Sequence, residues 1–222
     1  MMVTMFGFSD VIKTIEGLTP HYRAPSRGAI DKVTDVLDQG CRDFIAASTL
    51  VLVGTADADG NQDVSPRGGP AGFVQVLDQH RLAIPDLNGN NRLDSLRNIV
   101  INAQIALLFL IPGLGETLRM NGRACVTTDP GVLDLFTGQF RQPATAIGVQ
   151  VGEAYIHCAK SLRRGGLWEP STWASANGRP SVGEILVAHS GSAGKVTAEQ
   201  VEAGLEKSYA QGLAADLPEA ES

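Results

Sequence analysis

Residues 82–127 read LAIPDLNGNNRLDSLRNIVINAQIALLFLIPGLGETLRMNGRACVT, and this stretch decides the fold that we predict. Its apolar runs Leu82–Ile84 and Ile105–Ile111 are short, aliphatic and bounded by turn-forming residues, which favours buried strands over helices. Between them, apolar residues recur at helical spacing over 93–100. The predicted order is therefore strand, polar loop, short helix, strand, turn and strand.

Runs of similar composition lie on both sides of this stretch. The predicted strands are Leu50–Thr55, Gln62–Arg67, Phe73–Leu77, Leu82–Ile84, Ile105–Ile111, Thr117–Thr128 and Ala146–Cys158. Asp57–Asn61 is a turn sequence between the first two, which predicts a β-hairpin. Because short turns join the strands and no helix of crossover length intervenes, the pattern predicts a mainly β, antiparallel meander or Greek-key barrel.

Helical patterns occur mostly near the two ends. We predict a helix that ends near Leu18, a second from Ala29 to Asp38 extending toward Ala47, a short one at Gly131–Phe136, a basic turn at Lys160–Arg164, two helices near Val182–His189 and Thr197–Gln211, and a frayed end at Glu219–Ser222. The predicted organisation is a helical extension over 1–44, a barrel over 45–170 and a second extension over 171–222, all within one structural domain.

Composition excludes several classes of protein. The 222 residues are 43% hydrophobic and 19% charged, which is enough to bury one sizeable core. The net charge of −6 disfavours nucleic acid and anionic lipid as partners. We expect a cytoplasmic protein, since no apolar run reaches the roughly 18 residues that span a membrane and the N-terminus lacks the pattern of a signal peptide.

The three cysteines are too far apart to form a recognisable motif. Cys41, Cys125 and Cys158 include no CxxC pair. This spacing predicts neither a disulfide framework nor a zinc site, and we propose no metal ligand.

The loop from Asn88 to Arg92 has the composition of an anion-binding site. Amide side chains, a glycine and a guanidinium precede a predicted helix, whose first N–H groups lack intrahelical partners. A phosphate would find these donors and the planar fork of Arg92. The alternative is a polar surface turn. No EF-hand is predicted, because a register starting at Asp86 places Asn91 at the position of the turn Gly and Arg97 at that of the bidentate Glu. Neither a P-loop nor a dinucleotide fingerprint is present.

Four segments together resemble a known family. They are VGTADADGNQDVSPRGGPAGFVQV at 53–76, IPDLNGNNRLDSLRNI at 84–99, ALLFLIPGLGETLRMNGRA at 106–124 and EAYIHCAKSLRRGGLWEP at 153–170. This ordered set, over about residues 45–170, resembles the pyridoxamine 5′-phosphate oxidase-like flavoproteins of the FMN-binding split-barrel fold, in particular a bacterial subgroup of uncharacterised function.

The resemblance implies a six-stranded antiparallel split barrel that forms a homodimer, with FMN bound at the subunit interface. The implied cofactor-binding residues are Ser65, Arg67 and Gly68 on one strand, Asn90, Asn91, Arg92 and Ser95 around the phosphate loop, and Lys160 and Trp168 after the last strand. For the segment from Lys160 to Pro170, the alternative is a basic turn in which Trp168 covers the end of the barrel.

The implied function is an FMN-dependent oxidoreductase that transfers hydride to or from an unidentified small molecule. Oxidation of pyridoxamine phosphate is not expected, because the Arg-x-Trp type of substrate signature is not evident. The alternatives are a flavin-binding module that senses or stores FMN without turnover, and a reductase that uses a deazaflavin. We find no combination of nucleophile and base, so no catalytic residue is proposed.

Overall fold

Seven antiparallel strands form one sheet in the computed structural model, which describes residues 6–175, 178–192 and 194–218. The strands are β1 (Leu50–Ala56), β2 (Gln62–Gly68), β3 (Gln75–Val76), β4 (Arg81–Pro85), β5 (Gln104–Leu110), β6 (Thr117–Thr127) and β7 (Ala146–His157). Their order across the sheet is β2-β1-β5-β6-β7-β4-β3, so β2 and β3 are its two edges. The sheet does not close on itself. The mainly β prediction and the β1–β2 hairpin are confirmed.

The strand count differs from the six that the resemblance implies, because the short β3 adds a seventh. The sequence predicts a full strand over Phe73–Leu77, but only Gln75 and Val76 pair with β4. The chain before them is a turn, in which the N–H of Phe73 donates to the carbonyl of Pro70 and Gly72 has a φ of +79°. Phe73 is buried all the same, so its apolar character reflects the core and not strand pairing.

One face of the sheet carries the core. In β1 the side chains of Val51 and Val53 are fully buried, whereas those of Leu50 and Leu52 remain partly exposed on the other face. The long strands β6 and β7 pair along their whole length, with a bulge between Asn121 and Gly122. Such alternation is expected for an antiparallel sheet that is covered on one side.

Six α-helices accompany the sheet in the described residues of the larger unit. They are α3 (Gln39–Ala47), α4 (Asp94–Ile101), α5 (Pro130–Leu133), α6 (Lys160–Arg164), α7 (Val182–His189) and α8 (Ala198–Asp216); α1 (Ile15–Leu18) and α2 (Arg27–Asp31) precede them in the N-terminal unit. The predicted basic turn at Lys160–Arg164 is thus a helix, closed by the N–H of Gly165 donating to Ser161 O at 3.0 Å. Helix α8 continues five residues beyond the predicted end at Gln211.

The predicted helix from Ala29 to Ala47 is interrupted. Thr34 pairs with Ala154 of β7 through two backbone hydrogen bonds, and Leu37 is buried in the core. Helix α3 begins after this extended segment, where the Asp38 side chain accepts the N–H of Cys41 at 2.8 Å. Tertiary packing therefore overrides the helical pattern over 32–38.

The chain divides into two compact units between Val33 and Thr34. The described part of the first unit contains α1 (Ile15–Leu18), a 3-10 turn at Thr19–His21 and α2 (Arg27–Asp31). Helix α1 is shorter than its apolar pattern predicts, since Thr14 caps it by accepting the N–H of Gly17. The predicted fraying at Glu219–Ser222 lies outside the described residues. No helix in the described part of the chain has the length and apolarity needed to span a membrane.

Candidate functional site

A cleft of about 990 Å³ lies beside the edge strand β2. Its walls are β2, the loop that follows β4, the start of α4 and the last turn of α8. Seven of the nine predicted site residues line it: Ser65, Arg67, Gly68, Asn90, Asn91, Arg92 and Ser95. Residues that are up to 30 positions apart in the sequence are therefore brought to one place.

Arg67 is the most enclosed cation of the cleft. Its Nη1 lies 3.0 Å from Oδ1 of Asp86, and the two side chains are only 22% and 20% exposed. Its buried Nε has no hydrogen-bond partner among the residues that the structure describes. Burial raises the pKa of the Asp86 carboxyl, although the charge of Arg67 acts in the opposite direction. The guanidinium thus keeps one unused donor in a protected position.

A chain of hydroxyl groups joins β2 to α4. Ser95, which is 2% exposed, donates from Oγ to Oδ2 of Asp63 at 2.8 Å, and its Oγ lies 2.9 Å from that of Ser65. Since Ser95 donates to the carboxylate, Ser65 donates to Ser95. These bonds hold the start of α4 against the edge strand.

The loop before α4 has an unusual backbone. Asn91 and Leu93 both adopt left-handed conformations, with φ of +55° and +61°. Leu93 also occupies the N-cap position of α4 and offers no side-chain cap, whereas the N–H of Arg92 donates to Oδ1 of Asn90. Left-handed geometry at non-glycine residues is costly and concentrates at functional sites, so this loop is a candidate binding segment on conformational grounds as well.

Arg92 differs from Arg67 in its exposure. Its side chain is 73% exposed and its Nε donates to Asp94 at 2.8 Å, which raises the pKa of the guanidinium. An exposed pair of this kind contributes little and exchanges partners readily. Arg92 can therefore turn from Asp94 to an anion in the cleft.

The cleft has features that fit a flavin mononucleotide. Its volume lies within the range of small-molecule and cofactor sites, and the unused Nε of Arg67 and the exchangeable Arg92 are donors for a phosphate. Gly69 is packed so closely on Phe73 that a Cβ would lie 2.7 Å from the Cβ of that residue. Four lining aspartates, Asp63, Asp86, Asp94 and Asp216, oppose the two arginines, so the phosphate must compete with carboxylates for them.

Lys160 and Trp168 are not among the residues that line the cleft. Lys160 is the first residue of α6 and is exposed. The indole Nε1 of Trp168 donates to the carbonyl of Leu114 at 2.8 Å, which ties the segment to the turn between β5 and β6. Within one subunit, the structure does not bring these two residues to the other seven.

Several other residues of the cleft were not predicted as site residues, among them Asp86, Leu213, Asp216 and Leu217. Asp86 lies two residues after the predicted strand Leu82–Ile84 and two before the polar loop at Asn88, and this proximity is a sequence signal for it. Leu213, Asp216 and Leu217 come from the end of α8, and nothing in the sequence indicates that this helix returns to the loop at Asn88.

The sequence model of the family described as pyridoxamine 5′-phosphate oxidase matches residues 37–158, which are more than half of the chain. The chain therefore belongs to this family, whose members have the split-barrel fold. None of the curated proteins matches it.

Several solved structures are similar at low identity. HupZ from Group A Streptococcus is 19% identical, with a TM-score of 0.45 over 53% of this chain and 91% of that one. An F420 reductase is 17% identical, with a TM-score of 0.37 over 52% and 94%. The heme storage protein HutZ from Vibrio cholerae is 14% identical, with a TM-score of 0.38 over 55% and 94%.

Proposed function

We propose that the protein binds FMN in the cleft and acts as an oxidoreductase on a small organic molecule. The observation that carries this proposal is the convergence of Arg67, Arg92 and the left-handed loop before α4 on one cleft. Membership of the pyridoxamine 5′-phosphate oxidase family supports the choice of a flavin.

The residues of the cleft have distinct roles in this proposal. Arg67, through its unused Nε, and Arg92, released from Asp94, bind the phosphate, while Ser65 and Ser95 fix the start of α4. Asn90 and Asn91 shape the loop, and Gly68 keeps the strand edge open to a flat ring. When bound, the flavin supplies hydride transfer at N5.

Lys160 and Trp168 could contact the cofactor only from a second copy of the chain. We place the cofactor at a subunit interface, where the segment after β7 of one subunit would border the cleft of the other. Under this arrangement Trp168→Ala alters flavin fluorescence without abolishing FMN binding. Unaltered flavin emission in a folded Trp168→Ala variant would remove this residue from the site.

The first experiment asks whether the protein carries a flavin and turns it over. Absorbance of the purified protein and mass measurement after denaturing release identify FMN or a deazaflavin. Reduction by NAD(P)H and reoxidation by a substrate or oxygen support the oxidoreductase. Flavin that binds with no turnover would instead indicate a storage or sensing module.

The second experiment tests the phosphate site. Arg92→Ala and Arg67→Ala should each weaken FMN binding by roughly ten- to hundredfold, because each removes a charge-assisted contact of about 1.5–3 kcal/mol. Arg97→Ala is the matched control, since Arg97 lies on α4 but does not line the cleft. Titration with FMN gives the three affinities. Unchanged affinity in both test variants would contradict the proposed site.

A further inference from the structure

The last turn of α8 reaches the cleft from a part of the chain that the family match does not include. The match ends at residue 158, whereas Leu213, Asp216 and Leu217 line the cleft. The two leucines are 69% and 59% exposed. Their apolar surface is exposed to water and would be buried by a molecule that fills the cleft. Burial of this surface would therefore stabilise the bound state and not the folded core.

Asp216 ties this turn to the loop that precedes α4. Its Oδ1 accepts hydrogen bonds from the backbone N–H of Asn88 at 3.1 Å and from Nδ2 of Asn88 at 2.7 Å. Its own backbone carbonyl accepts the N–H of Arg141 at 2.8 Å. The carboxylate therefore fixes the chain two residues before Asn90, where the predicted phosphate contacts begin.

Polar contacts attach α8 at two places along its length. Toward its first half, Oε1 of Glu202 accepts Ser181 Oγ at 2.8 Å and the N–H of Gly183 at 3.0 Å. Near its last residue, the attachments are those of Asp216 to Asn88 and to the N–H of Arg141. No residue of Ala198–Asp216 is buried. A helix with so little buried surface has low local stability, so the position of its last turn depends on the Asp216 contacts.

We propose that Asp216 is a positioning residue for the loop before α4, and that Leu213 and Leu217 are binding residues that cover the apolar ring of the molecule in the cleft. The identity of that molecule as FMN rests on the proposed function. The positioning of the loop does not rest on it, because the Asp216–Asn88 hydrogen bonds join two residues of the chain itself.

The contacts can be tested without a flavin. Hydrogen exchange at the Asn88 amide in the FMN-free protein should be roughly tenfold faster in Asp216→Ala, which removes its acceptor. Asp216→Asn keeps an Oδ1 acceptor and should restore slow exchange. Glu206→Ala is the control, because it removes an equal charge from an exposed position on α8 outside the cleft. Equal exchange in Asp216→Ala and the wild type would overturn the positioning role.

The effect on binding is measured by FMN titration of the same proteins. Asp216→Ala should raise the dissociation constant by roughly three- to thirtyfold, Asp216→Asn should bring it back toward the wild-type value, and Glu206→Ala should leave it unchanged. Faster exchange with an unchanged dissociation constant would overturn the link between the Asp216 contacts and the site. Failure of the wild type itself to bind FMN would overturn the proposed function, while the exchange comparison still decides the positioning role.

Leu213→Ser and Leu217→Ser test the apolar wall. Both leucines are exposed, so the melting temperature of the FMN-free protein should stay within about 2 °C of the wild type. The increase in melting temperature that saturating FMN produces should be smaller in both variants, because the bound ring buries less apolar surface. The same FMN-induced increase in the variants and the wild type would overturn the role of the leucines.

Discussion

At the scale of single residues, Cys41 is set apart from the other two cysteines by burial. Burial, helped by the neighbouring Asp38 carboxylate, raises the pKa of its thiol to about 11. At pH 8 roughly one Cys41 thiol in a thousand is then ionised. We expect a thiol reagent at that pH to label the exposed Cys125 and Cys158 first, and all three only after denaturation. Labelling of Cys41 in the native protein as fast as the others would contradict this expectation.

Because of the same thiol, we expect the free energy of unfolding to depend on pH in the alkaline range. The unfolded chain ionises Cys41 near pH 9, whereas the folded chain does so only near 11. Between these values the unfolded state binds fewer protons, so the free energy of unfolding falls as pH rises. Urea denaturation at pH 8 and pH 10 should reveal the loss. Cys41→Ala should reduce it, and an identical pH dependence in the variant would exclude this cause.

Leu93 has a backbone conformation that suits glycine better than leucine. Its φ of +61° lies in the left-handed region, where the Cβ of an L-residue crowds the backbone at a cost of about 1–2 kcal/mol. We therefore expect Leu93→Gly to be more stable to urea than Leu93→Ala by about 1 kcal/mol. Both changes remove the side chain, so alanine is the control for the lost contacts. An alanine variant of equal or greater stability would show that no strain is present.

At the scale of elements, the bulge in the β6–β7 pairing, where β7 carries the extra residue Gly152, brings Gly122 against the β7 backbone. A Cβ at Gly122 would collide with the backbone carbonyl of Gln150, which cannot move away as a side chain could. Gly122→Ala should therefore lower the free energy of unfolding by about 1–3 kcal/mol. Gly152→Ala on β7 is the control, since its Cβ would meet Asn121 O at an ordinary 3.5 Å. Comparable losses in the two variants would contradict this explanation.

The sequence predicts elements well where one physical cause decides them. The long strands at 104–110, 117–127 and 146–157 are aliphatic and bounded by turns, and their predicted ends lie within a residue or two of those found. The prediction is wrong where tertiary contacts decide, as in the segment over 32–38 and in the short β3.

The residues of the candidate cleft also differ in whether the sequence predicts them. Arg92 and the asparagines of the loop carry a local signal, because they precede a helix within a few residues. Asp216 has no such signal, since its partner Asn88 is 128 positions away and only the packing of α8 brings them together. Contacts over such distances depend on the whole fold and not on a pattern within one segment.

At the scale of the whole molecule, the outer face of the sheet carries an apolar surface. Leu52 pairs with Pro66 on one side and Leu108 on the other, and Val64 lies beside them with 66% exposure. Surfaces of this kind are usually covered by a partner. The homodimer that we propose would bury this face between two copies related by a twofold axis.

Sedimentation tests the dimer. Val64→Glu places a charge in the proposed interface and should shift the protein toward a monomer at low micromolar concentration. Val100→Glu is the matched control, because Val100 is an exposed valine on α4, with 75% exposure, and is not part of the sheet face. A wild type that sediments as a well-folded, flavin-loaded monomer would refute both the dimer and the interfacial position of the cofactor.

The two edges of the sheet limit how copies of this chain can join. Edge β3 is only two residues long, and edge β2 contains Pro66, which has no N–H to offer to an added strand. Short edges and proline both obstruct the strand addition that leads to fibrils. Copies of this protein can therefore pack face to face, while growth of a continuous sheet from one molecule to the next is opposed at both ends.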